Sequence, residues 1–208
     1  MLYSWIVRAL MKSSEWTRLV RPVLPSDEYE WGFRGKLCYA RPVGWTVRGL
    51  LAEGSAFDQG IYLWEVLMPL YVPTDVIVLS HSVRVGGGAN RFDYHDPESI
   101  VSAASDTARS LPTDENALSA LSIDVSEGRN RRTLEVSAYS LILLHRLEEA
   151  QRVLGQTISG TATTQWEAEI IERAQLVQRE LTTNGLPAAQ KQLGDWRLQS
   201  LDVLGLVP

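Results

Sequence analysis

Between Trp31 and Gly86 the chain runs through four segments of strand-like texture, joined by connections too short to hold a helix. Parallel neighbours need a crossover of about a dozen residues or more, so these segments can pair only as antiparallel neighbours. In 31–40, Trp31, Phe33, Leu37 and Tyr39 fall on one face and Arg34, Lys36 and Cys38 on the other. In 43–51, Val43, Trp45 and Val47 alternate with Gly44, Thr46 and Arg48, and the intervening Arg-Pro-Val-Gly suits a hairpin turn. Residues 60–72 are apolar on both faces, the pattern of a central strand, with Pro69 marking its end or a bulge. In 76–86, Ile77, Leu79, His81, Val83 and Val85 share one face, and Ser80, Ser82 and Arg84 the other.

Helical patterning flanks this region. Residues 2–20 repeat apolar side chains near a period of 3.6 and stop before Pro22. Asp96-Pro97 is a cap followed by a first-turn proline, and that helix should end near Leu111, ahead of Pro112. Thr113 or Asp114 can cap a short helix. Residues 131–155 suit one buried central helix, with a strand at 133–143 as the competing reading. Residues 164–183 carry a stripe of Trp166, Ile170, Ile171, Ala174, Val177 and Leu181 and end at Asn184-Gly185, and Pro187 opens a last helix. The expected fold is α+β in a single domain over 1–208. An N-terminal helix and a four-stranded antiparallel meander occupy 1–96, and a helical half, 97–208, packs on the sheet.

The formal net charge of −5 is a poor match to nucleic acid, which needs a broad positive surface. The imbalance is local: residues 97–208 hold 15 acidic and 10 basic side chains. Cys38 is the sole cysteine, which excludes an internal disulfide and a thiolate zinc site within one chain. Arg8 and Lys12 interrupt the apolar start and no apolar run spans a membrane, so a cytoplasmic protein is expected. Arginine outnumbers lysine heavily, as in GC-rich bacterial genomes.

The stretch "SHSVRVGGGANRFDYHD" holds two of the three histidines. His81, Asp93, His95 and Asp96, with Glu65, could hold a divalent metal or set a base beside its orienting acid. Equally, His81 can be a core residue of the strand and His95 a loop residue. The glycines lead neither directly into a helix nor to a lysine, so they do not make a phosphate loop. No nucleophile elbow, zinc-protease helix or dinucleotide fingerprint is present, and no cofactor is expected. Cys38 beside Arg34 and Lys36 could be an activated thiol or an incidental one.

Two features suggest binding. Arg34, Lys36, Arg48 and Arg84 are expected on one sheet face beside aromatic residues, where arginines suit phosphate or carboxylate and aromatics can stack on bases. Seven tryptophans are many for this length, and Trp166 and Trp196 lie on helices that could dock a protein partner, a second copy, or the chain's own core. The expected function is therefore a non-catalytic interaction protein of the immunity, antitoxin or accessory-subunit type, with the metal-dependent hydrolase or nuclease as its rival.

Overall fold

In a computed structural model, which describes residues 11–55, 60–86, 90–122 and 130–208, the first departure from these expectations falls at Gly35. Residues 31–40 are not one strand. β1 (Glu30–Arg34) turns at Gly35, where φ is +59°, and returns as β2 (Leu37–Arg41). That conformation strains any residue with a Cβ, so the turn settles on the glycine. Arg34 then faces Leu37 and Phe33 faces Cys38. Residues opposite one another across a pair share a sheet face, so Cys38 lies with Trp31 and Phe33, on the face opposite Arg34.

β2 pairs with β3 (Thr46–Gly54), setting Cys38 opposite Leu50, and the sheet continues into β4 (Gly60–Pro69). Two short strands share the next position: β5 (Val83–Arg84) beside Trp64 and Glu65, and β6 (Phe92–Asp93) beside Gly60 and Ile61. Among the described residues the antiparallel sheet thus has six strands in the order β1-β2-β3-β4-β5, with β6 on β4. The strand expected over 76–86 shrinks to β5 because its first half turns: Ser82 N–H donates to Leu79 O, and Ser82 Oγ accepts from Leu67 N–H of β4. A side-chain hydroxyl there takes the place of a ladder carbonyl.

Two helices cover one face of this sheet. Trp16 and Val20 of α1 (Ser13–Val20) and Ile100, Ala104 and Ala108 of α2 (Pro97–Arg109) pack with Cys38, Leu50, Ala52, Ile61 and Leu63. α2 begins as expected, with Asp96 accepting from Ser99 N–H and Pro97 in the first turn. Residues 2–10 of the expected first helix lie outside the described residues. The sheet, α1, α2 and Leu206–Pro208 form one compact unit, so α2 groups with the sheet and not with the later helices. Within it, Val207 N–H donates to Tyr39 Oη.

The second compact unit comprises Pro69–Val78 and Pro112–Gly205. Its helices are α3 (Asp114–Leu121), α4 (Arg131–Leu143), α5 (Leu147–Ile158), α6 (Gln165–Arg179) and α7 (Leu186–Leu204), with a π-turn over Glu180–Asn184. Thr113, Asn130 and Thr164 each cap a helix with a side-chain oxygen. The single helix expected over 131–155 is instead an antiparallel pair, broken where His145 adopts φ +61°. Nothing in the sequence punctuates that turn, since no glycine, proline or asparagine stands there. α4 is buried from Glu135 to Ile142 and is the central helix of this unit.

Candidate functional site

The buried polar side chains of α4 have partners. Glu135 is fully buried, and Arg173 of α6 donates to it through Nε at 2.7 Å and a terminal nitrogen at 3.0 Å. Tyr139 Oη donates to the same carboxylate at 3.4 Å, and its ring lies 5.8 Å from that of Trp196 on α7. Burial pushes the Glu135 carboxyl up while Arg173 pulls it back. A two-pronged guanidinium–carboxylate pair fixes orientation as well as charge, so it sets α6 on α4. Tyr71 and Ser140 share a buried bond of 2.6 Å, and Ser137 donates to Ser122 O. Trp196 is half-buried against this network and serves it.

That docking of α6 defines what Trp166 can do. By helical spacing Trp166 belongs to the stripe of Ile170, Ala174 and Val177, which is at most 2% exposed. Trp166 itself is 48% exposed, in the first turn, where the stripe runs past its cover. Glu169 and Glu172 stand exposed on the same helix. Exposed tryptophans are uncommon, and tryptophan is enriched among the side chains that anchor interfaces. The unit is also the acidic one: it carries 14 acidic and nine basic residues, while the sheet unit carries 11 of each.

Among the described residues of 80–96, His81 is half-buried in the turn before β5, not on a strand. Asp93 accepts from the backbone N–H of exposed His95 at 2.9 Å, a local turn bond. Both oxygens of Asp96 are used by Ser99, which holds the carboxyl below its ordinary range. Glu65 lies on β4 opposite Val83, its carboxyl pushed up by burial. Gly87 and Gly88 are outside the described residues. Among the described residues, no three His, Cys, Asp or Glu side chains are placed to hold a metal ion.

The expected arginine face is divided. Arg34 projects with Leu37 from one face, whereas Arg48, two residues before Leu50, projects into the helix-covered face, where it is 6% exposed with its guanidinium 5.5 Å from the Tyr29 ring. Lys36 sits in the β1–β2 turn. Arg84 stacks over Tyr62 and Trp64 at 4.0 and 4.8 Å, and Trp64 Nε1 donates to Glu53. At a strand spacing of about 4.8 Å, the three strands between β1 and β5 hold Arg34 and Arg84 roughly 19 Å apart. Cys38 donates to Leu50 O, and burial pushes its thiol up to about 12, the reverse of an activated nucleophile.

No protein-family model matches the chain, and neither a curated sequence nor a solved structure matches it. No helix among the described residues is long and apolar enough to cross a membrane.

Proposed function

We propose that this chain is a non-catalytic interaction protein whose helical unit docks a basic protein partner around Trp166. The observation that carries the reading is the half-exposed indole on a stripe that is otherwise core, with exposed Glu169 three residues along the same helix. An apolar anchor on a unit of net negative charge suits a partner of the opposite sign, because charge steers encounter and the buried ring supplies affinity. A bacterial cytoplasmic immunity, antitoxin or accessory-subunit role fits such a surface, as does the buried free thiol of Cys38 in a reducing compartment.

The test is recovery of the tagged full chain from its native host at moderate salt. The expected result is one basic protein at stoichiometric level, lost from Trp166→Ser and from the double variant Glu169→Lys/Glu172→Lys, both of which unfold at the wild-type temperature. A partner retained by both variants, or none with the wild type, overturns the reading.

A further inference from the structure

A second surface of the helical unit carries a different chemistry. Between α3, α4 and α5 lies a pocket of about 780 Å³, within the range of small-molecule sites. Asn116 and Ser119, three residues apart on α3, present an amide and a hydroxyl on one side, and Arg152 of α5 lines the other. These three side chains make no hydrogen bond or ion pair among the described residues, and Arg152 faces Glu149 through charge alone.

The pocket's other polar groups are already tied. Arg146 grips Glu149 with two bonds, through Nε at 2.6 Å and a terminal nitrogen at 2.5 Å, and its remaining nitrogen is 3.5 Å from Ser122 Oγ. Arg146 thereby holds the Glu149 carboxyl below its ordinary range, so it stays ionised. Among the described lining residues, two arginines against one glutamate leave a single net positive charge, inside the unit that carries the chain's whole negative excess. The surrounding field repels extended polyanions, while the pocket itself favours one compact negative group. Exposed Ala120 adds apolar wall to the same pocket, and buried Leu141 and Val153 close its floor.

We propose that this pocket binds a small organic anion, its carboxylate or phosphate held by Arg152, Asn116 and Ser119 and its apolar body set against Ala120. Arg152 lies on an exposed helix position, so Arg152→Gln removes the charge without disturbing the core. The experiment titrates the full-length protein with inorganic phosphate and, separately, with benzoate at constant ionic strength, read by calorimetry and amide chemical shifts. Saturable binding of phosphate assigns a phosphate head and of benzoate a carboxylate head. In either case Arg152→Gln is expected to weaken it about tenfold or more, and Ser119→Ala about fivefold. No saturation by either anion up to about 10 mM, or equal binding by Arg152→Gln, overturns the proposal.

Discussion

The two compact units treat polar side chains differently. In the sheet unit the covered face is filled by Trp16, Leu50, Ile61, Leu63 and Ile100, and Asp93 and Asp96 are spent on a local turn and a helix cap. In the helical unit the central helix buries a glutamate, a tyrosine and two serines, each with a hydrogen-bond partner, while a tryptophan of the core stripe remains in the open. A buried ion pair is expensive to desolvate and contributes little net stability against an apolar substitute, so its use is to fix one arrangement of helices. The unit that fixes its geometry this way is also the one that carries the exposed Trp166 and the pocket.

The largest test of that difference is Arg173→Met. It leaves the Glu135 carboxylate buried without its cation and should cost about 3 kcal/mol in urea unfolding. The double variant Glu135→Leu/Arg173→Met should return to the wild-type value or exceed it, while docking through Trp166 becomes weaker. A double variant with intact docking would show that the network holds nothing in place.

Acid gives a smaller, signed comparison. Tyr94 Oη donates to Glu15 at 2.7 Å and holds that carboxyl below its ordinary range. Its contribution to the sheet unit is present above the unfolded value and lost as pH falls through the folded one. Glu135 has the opposite sign: burial raises its folded value, so its contribution is present in acid and falls as pH rises through the window above the ordinary carboxylate value. Stability measured against pH should therefore lose part of its acid decline in Glu15→Gln and lose an opposing, acid-favourable slope in Glu135→Gln. The same sign for both would contradict the assignment.

Much of the fold was legible where local chemistry decides it. Asp96-Pro97 and Thr113 announced helix starts, and short connections forced antiparallel pairing. Two misreadings came from tertiary choices. Trp31 to Ala40 alternates well enough to pass for one strand, yet Gly35 alone turns it, and that reversal moved Cys38 into the core and helped split the arginines between faces. At His145 the chain turns without any residue that advertises a turn, because packing of α5 back on α4 overrides local preference. The site was harder still. Trp166 and Trp196 share residue type and helical setting, and only the ends of their neighbours decide that one is half-buried against Tyr139 and the other exposed. The pocket was missed because serines, an asparagine and arginines at those positions look like an ordinary solvated face until three helices bring them together.

The most direct measurement places a photo-crosslinking phenylalanine analogue at Trp166 in one strain of the native host and at Val83, the 58% exposed residue of the sheet unit, in another. Irradiated cells should yield one cross-linked basic protein from position 166 and none from position 83. A specific adduct from position 83 with none from 166 would place recognition on the sheet and contradict the account.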